Sequence, residues 1–223
     1  MSQLIIAIDG PSGAGKGTVS RTVSKTLGYR HIDTGAMYRA VAWKALREGV
    51  SLIDDAAVSA LAERATLVCG EGVVSIDGHD VSTAIRTPEI DKAAAAVARL
   101  PHVRQVLVAR QRALGASGGV VMEGRDIGSV VFPNADVKIY LDASAEERAK
   151  RRATDPAHSG GQQGQAAVAA SIEARDQSDR TRAVSPLTLA PGAVLIDTTS
   201  LSIADVVERV LGLVREATQT SFV

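Results

Sequence analysis

The chain lacks most of the features that quickly assign a protein to a class. It has one cysteine in 223 residues, so no disulfide can close within it. Cys69 is expected to be a small buried apolar side chain in a reducing compartment. Charge of one sign is not in excess: 25 basic and 25 acidic residues cancel. That removes support for a broad nucleic-acid or membrane surface and gives local arginine clusters more meaning than the total. No apolar run approaches the roughly 18 residues that span a bilayer. The first residues lack a signal-peptide pattern, so a cytoplasmic location is the expectation. Four histidines (His31, His79, His102, His158) are scattered without metal-ligand spacing, which argues against a zinc site. There is no internal repeat, no Ser/His/Asp arrangement and no pair of catalytic carboxylates.

What is present starts with ordinary globular composition, 45% hydrophobic and 22% charged, enough for one substantial domain with a core. Leu4-Ile5-Ile6-Ala7-Ile8 is an apolar run, and a helical pattern follows. Between them stands Gly10-Pro11-Ser12-Gly13-Ala14-Gly15-Lys16-Gly17-Thr18. Strand, glycine loop and helix are the context that a phosphate-binding loop requires. Glycines let backbone N–H groups curl around a polyphosphate. The helix start adds free donors and a positive dipole end, and Lys16 adds a point charge. Gly17 occupies the position where the consensus has Ser or Thr, with Thr18 next. Thr18 is therefore expected to meet magnesium only indirectly, the ion being held through water and phosphate.

Strands then alternate with helices. Residues 4–9 predict a buried strand, followed by a helix with Val19, Thr22, Val23 and Leu27 on one face and Gly28 as its stop. His31–Asp33 predicts a second strand and residues 36–48 a helix. Gly119–Met122, Val137–Leu141 and Val194–Ile196 predict three further core strands. Ser144-Ala-Glu-Glu147 opens a helix as a capping box. Ser202 begins the last helix, with Ile203, Val206, Val207, Val210, Leu211 and Val214 at spacings of three and four. The pattern predicts an α/β fold with a parallel sheet covered on both faces. Two stretches break it. Val73–Val81, within about 66–86, predicts a hairpin around Asp77-Gly78 and hence an inserted subdomain. Thr154–Gln165, rich in Gly, Gln and Ser, predicts a loop flanked by Arg148, Arg151 and Arg152 and by Arg175, Arg180 and Arg182, as a closing lid needs. Arg148, Arg151 and Arg152 are expected to share a helix face, and so are Arg175, Asp179 and Arg182. Residues 218–223 are expected to fray.

Ligands of a parallel sheet bind beyond the carboxyl ends of its strands. Asp33-Thr34-Gly35-Ala36-Met37-Tyr38-Arg39 and Glu123-Gly124-Arg125-Asp126 both follow predicted strands, so both belong near the glycine loop. Phosphoryl transfer is mostly positioning and charge stabilisation. A phosphate acceptor already carries an anionic oxygen and needs no general base. On these grounds alone the chain is a kinase for a nucleotide, a kinase for another small acceptor, or a nucleotide-binding regulatory module.

The chain resembles the bacterial cytidylate kinase family of the nucleoside monophosphate kinase group over essentially its whole length. The resemblance is carried by Ile8–Thr18, Asp33–Arg39, Gly124–Pro133, Lys138–Arg148 and Arg182-Ala-Val-Ser-Pro-Leu187. It implies a three-layer P-loop kinase fold. Residues 1–33 and 105–223 would form the core, 34–104 an acceptor-nucleotide insert and 151–170 a short lid. It implies transfer from ATP, with Mg2+, to CMP or dCMP, by a monomer. Gly10 through Thr18 would bind ATP. Thr34, Tyr38, Arg39, Arg104, Arg125, Asp126, Arg175, Asp179 and Arg182 would bind the acceptor. Among these, Arg39, Arg125 and Arg182 would hold its phosphate, Arg104 and Asp126 its base, and Arg175 with Asp179 would lie near the ribose. Lys16, Arg125, Arg182 and the lid arginines Arg151 or Arg152 would act in transfer. A carboxylate accepts from the N4 amino group of cytosine and a guanidinium donates to N3 and O2, whereas uracil reverses N3 and position 4. Buried mismatches of that kind predict discrimination of about 10²- to 10⁴-fold against UMP.

Overall fold

The computed structural model describes residues 3–70, 72–155 and 165–220. Its centre is β1 (Ile5–Asp9), flanked in a five-stranded sheet of order β2-β6-β1-β7-β8. The others are β2 (Arg30–Asp33), β6 (Val120–Gly124), β7 (Val137–Asp142) and β8 (Val194–Asp197), and every pairing is parallel. Alternation along β1 explains why its sequence is apolar throughout. Ile6 and Ile8 pack with Val19 and Val23 of α1 (Lys16–Leu27) and with Val206 and Val210 of α8 (Ile203–Thr220). Ala7 faces the other way, with Met122, Ile127 and Val108 of α5 (Pro101–Gly115). A strand buried on both sides has no polar face to display.

Between β2 and β6 the chain makes a long excursion. It holds α2 (Thr34–Arg47), α3 (Asp55–Arg64) and an antiparallel sheet of β3 (Leu67–Gly70), β4 (Val73–Ile76) and β5 (His79–Asp80). α4 (Pro88–Val97) and α5 follow. The expected hairpin is there: Asp77 and Gly78 both have positive φ, 49° and 77°. The Asp77 carboxylate also accepts the Thr66 N–H at 2.7 Å. α2 to α5 bury a helical core around Met37, Val41, Leu61, Val97 and Leu107, while Ala36, Ala40 and Ile85 cover the small sheet. Cys69 is half-buried in this region, and burial pushes its thiol up to about 12.

Several expectations need correction. The first sheet-breaking stretch contributes a third strand, β3, because Leu67–Gly70 pairs with β4 in full register. α2 begins at Thr34, not residue 36, because the Asp33 carboxylate accepts the Ala36 N–H at 3.0 Å and so caps the helix directly after the strand. Thr22 is exposed and donates back to the Thr18 carbonyl at 2.9 Å instead of joining the apolar face. β8 is an edge strand on which Val194 and Leu195 stay exposed. α8 runs to Thr220, past the expected fraying point. Most of the expected lid loop, 156–164, lies outside the described residues, as do 221–223. The flanking helices are α6 (Ala145–Thr154), capped by Ser144, and α7 (Gln165–Thr181).

Candidate active site

The strands align so that Asp9 stands beside Gly124 and Asp33 beside Glu123 at their carboxyl ends. Over these ends opens a cleft of about 940 Å³. Its wall includes Ser12 through Thr18, Thr34, Tyr38, Arg39, Arg104, Arg125, Asp126, Arg151, Arg152, Arg175, Asp179 and Arg182. Residues as far apart in sequence as Ser12 and Val206 thus meet in one space. Gly10 and Pro11 do not line it. Gly10 is the packing point of the loop: a Cβ there would sit 2.0 Å from the Leu141 carbonyl oxygen, and its φ is 147°. Pro11 contributes its carbonyl, which accepts from Lys16 Nζ at 2.7 Å.

The loop is held from behind. A Cβ on Gly13 would meet the Arg148 carbonyl oxygen at 2.7 Å. Arg148 is buried, donates through Nη1 to the Ser12 carbonyl at 3.2 Å and through Nε to Ala143 at 3.0 Å, and pairs with Asp176. Asp176 in turn accepts the Ser12 N–H at 3.4 Å. Arg148, Arg151 and Arg152 leave α6 towards the loop and the cleft, but their guanidiniums end in different places. Arg148 props the loop. Arg151 donates to Thr198 Oγ1 and O at 2.9 and 2.7 Å and pairs with Glu147 at 3.0 Å. Arg152 turns to Asp91. Helical spacing sets the direction in which a side chain leaves, but carboxylates on other elements decide where a long guanidinium ends.

Lys16 is buried, and burial pulls its ammonium down to about 7, with the Arg125 charge adding to the effect. Asp9 is pushed up to about 6 by burial, against two hydrogen bonds that favour its charged form. Those bonds come from the Ile127 and Gly128 N–H groups, each at 2.8 Å. They seat a tight π-helical turn, Ile127–Val131, directly after Asp126.

The other end of the cleft is built from arginines held by carboxylates. Asp179 is 2% exposed and takes Arg125 Nε at 2.9 Å, Arg175 Nε at 3.4 Å and Arg182 Nη1 at 3.8 Å. Burial alone would raise its carboxyl, yet the three guanidiniums, Arg125 foremost, hold it below the usual range. Arg182 follows the end of α7 rather than lying on it, but still faces Asp179 and approaches Asp126 Oδ1 at 3.5 Å. Arg104, 2% exposed, pairs with Asp126, 6% exposed. Its guanidinium lies 5.6 Å above the Tyr38 ring. Arg104 Nε makes no hydrogen bond among the described residues. Burial raises the Tyr38 hydroxyl to about 12, so it stays a neutral phenol. Thr34 donates to the Glu123 carbonyl at 2.7 Å, and Glu123 Oε1 lies 2.8 Å from His31 Nε2.

Oxygen donors for a magnesium ion are present beside the loop, although no cluster of three acidic, histidine or cysteine ligands exists among the described residues. A Cβ on Gly17 would stand 3.5 and 3.7 Å from the two Glu123 carboxylate oxygens. The missing side chain thus leaves room between loop and carboxylate, and Thr18 lines the same cleft. This set suits a hydrated ion carried in on phosphates, not a protein cage. Reasoning from the sequence missed Asp91, Asp176 and Thr198 as partners of the cleft arginines. It also placed Ile203 on the packed stripe of the last helix, although Ile203 is 56% exposed and lines the cleft.

Solved structures share the fold. A gluconokinase from Sinorhizobium meliloti 1021 superposes with a TM-score of 0.53 at 17% identity, covering 99% of this chain and 97% of that one. A shikimate kinase from Bacteroides thetaiotaomicron gives 0.51 at 12% identity, covering 96% and 99%. At such identities the likeness concerns the fold alone, an α/β P-loop kinase architecture. Curated relatives are nearer in sequence. The cytidylate kinase of Solibacter usitatus (strain Ellin6076) is 49% identical over 220 residues, covering 96% of this chain and 93% of that protein. That of Rhodococcus opacus (strain B4) is 50% identical over 221 residues, covering 96% of each. The cytidylate kinase family model matches residues 6–216, which include every residue of the cleft described above. A glycine loop with a buried lysine, facing arginines and a buried Arg104–Asp126 pair, lies wholly within that match, and the chain belongs to the cytidylate kinase family.

Proposed function

We propose that the protein transfers the γ-phosphoryl group of ATP to CMP or dCMP, giving ADP and the diphosphate, in pyrimidine nucleotide metabolism. The observation that carries the choice of acceptor is the buried Arg104–Asp126 pair at the end of the cleft away from the glycine loop. A carboxylate and a guanidinium side by side match the donor and acceptors of cytosine and oppose those of uracil.

ATP enters on the loop. The N–H groups at the start of α1 receive its phosphates, and Lys16 leaves the Pro11 carbonyl for the stronger anionic acceptor. The acceptor phosphate meets Arg39, Arg125 and Arg182. Arg39 and Arg125 use Nε for their carboxylate partners, at 2.9 Å in both cases; Arg39 Nη1 also lies 3.9 Å from Asp33 Oδ2 and Arg125 Nη1 donates to the Gly124 carbonyl at 3.4 Å, which leaves Nη2 of each to turn onto a phosphate oxygen. The acceptor oxygen is already anionic, so no base removes a proton. Thr34 and Tyr38 shape the pocket, Arg175 and Asp179 lie at the sugar, and Arg151 and Arg152 neutralise charge on the group in transit. Glu123 and Thr18 would hold magnesium through water when it is bound with ATP, and the ion would screen the phosphate charge. Residues 34–104 serve as the acceptor-binding insert and 151–170 as the lid of a cytoplasmic monomer.

Initial rates of ADP formation with MgATP and CMP, dCMP, UMP, AMP, GMP or no acceptor test this directly. Strong rates with CMP and dCMP and weak rates with UMP are expected. Equal turnover of UMP would remove the base reader, and no turnover with any acceptor would remove the activity.

A further inference from the structure

Asp91 lies in the first turn of α4 and does not line the cleft, yet it holds three cleft arginines from three other elements. Its Oδ1 accepts from Arg39 Nε of α2 at 2.9 Å. Its Oδ2 accepts from Arg152 Nη2 of α6. Its backbone carbonyl accepts from Arg175 Nη1 of α7 at 2.9 Å. The carboxylate thus stands between two guanidiniums that would otherwise repel. Burial lowers the basicity of Arg152 and Arg39 lowers it further, while Asp91 restores part of it. The engagement is selective about atoms. Arg39 gives Nε to Asp91 and sets Nη1 3.9 Å from Asp33 Oδ2, so Asp91 aims this side chain while Nη2 is left for a ligand.

We propose that Asp91 is a positioning residue for phosphoryl transfer: by clamping Arg39 and Arg152 on one carboxylate, it sets the separation of the acceptor-side and α6-side cations. It touches no substrate and acts only through the arginines. The alternative role, a mere counter-ion that stabilises the fold, differs in what it does to substrates. A clamp couples the two arginines, so removing it should hurt binding of the acceptor and turnover together and should make loss of Arg152 matter less.

This inference rests on the transfer reading for its kinetic arm only. Asp91→Ala is expected to raise KM for CMP about 10-fold and to lower kcat about 10-fold, with KM for ATP changed by less than about 3-fold, as loss of one charge-assisted coupling predicts. Asp91→Ala combined with Arg152→Ala should be no worse in kcat than Arg152→Ala alone, within about 2-fold. Fully additive losses would overturn the clamp. Asp91→Asn keeps the shape but not the charge. It should reproduce the alanine result, and it carries the same test if Asp91→Ala does not fold. The second arm needs no turnover. Spin labels at Glu89→Cys on α4 and Lys150→Cys on α6, in a Cys69→Ser background, should give a narrow distance distribution that broadens in Asp91→Asn. An unchanged distribution would overturn the proposal. Wild-type turnover of CMP reports separately on the transfer reading, so failure of one does not imitate failure of the other.

Discussion

The two ends of the cleft hold phosphate-seeking groups by opposite means. At the loop end the contacts are backbone N–H groups and one lysine, fixed by glycines that tolerate no Cβ, such as Gly10 against Leu141. At the far end the contacts are arginines, each fixed by a carboxylate from elsewhere in the chain: Asp179, Asp126 and Asp91. A backbone site needs few residue types and is rigid because its shape is set by φ and packing. A side-chain site needs buried counter-ions to hold long guanidiniums apart, and its geometry depends on several distant residues at once. On the proposed reading, the first would receive any polyphosphate and the second would select the acceptor.

The largest effect that would break this contrast lies at Asp179. Its removal leaves Arg125, Arg175 and Arg182 without their shared buried partner. Asp179→Ala should therefore lower stability by about 3–5 kcal/mol, read from urea unfolding. A loss below about 1 kcal/mol would mean that the arginines hold their places without it. Next comes the loop. Lys16→Ala should lower kcat by at least about 10²-fold while the fold melts as before, because a transition-state charge contact is lost. Near-normal turnover would leave the backbone donors as the whole of the donor site. A smaller effect is expected in selectivity. Asp126→Ala should narrow the CMP-to-UMP ratio of kcat/KM by about 10-fold, since one buried mismatch no longer operates. An unchanged ratio would take Asp126 out of base recognition.

The smallest effect concerns protons. Free Lys16 titrates at about 7, and a bound polyphosphate favours its charged form. Binding therefore draws up a proton once the pH exceeds about 7, and ATP affinity should fall as pH rises from 7 towards 9. Below 7 this group adds no slope, because it is charged both free and bound. Calorimetric titrations of ATP across that range check the sign, and Lys16→Ala should flatten the curve.

The same contrast explains what could be read from the sequence. The loop was legible because its mechanism is local: glycines, a lysine and a strand-to-helix transition within a dozen residues. The parallel core was legible because β1 is apolar on both faces. The arginines were legible as a set, through position after strands and through family resemblance, but not their partners. Nothing in the spacing of Arg148, Arg151 and Arg152 says that they turn to Asp176, Thr198 and Asp91, since those meetings are made by tertiary packing. β3 escaped because Leu67–Gly70 is too short to show alternation. Ile203 was misassigned because it keeps the helical period of its neighbours while standing at the cleft.

The grip of Asp9 on the Ile127 and Gly128 N–H groups separates two things usually inherited together. It fixes where the segment after β6 sits by holding main chain, and main chain is the same whatever side chains are written there. The main chain after Asp126 is thus held apart from its side chain, while that side chain still serves as the buried partner of Arg104. On the proposed reading, a lineage or a designer seeking a different base would have to revise Asp126 and Arg104 together, and could do so without moving the backbone that Asp9 holds.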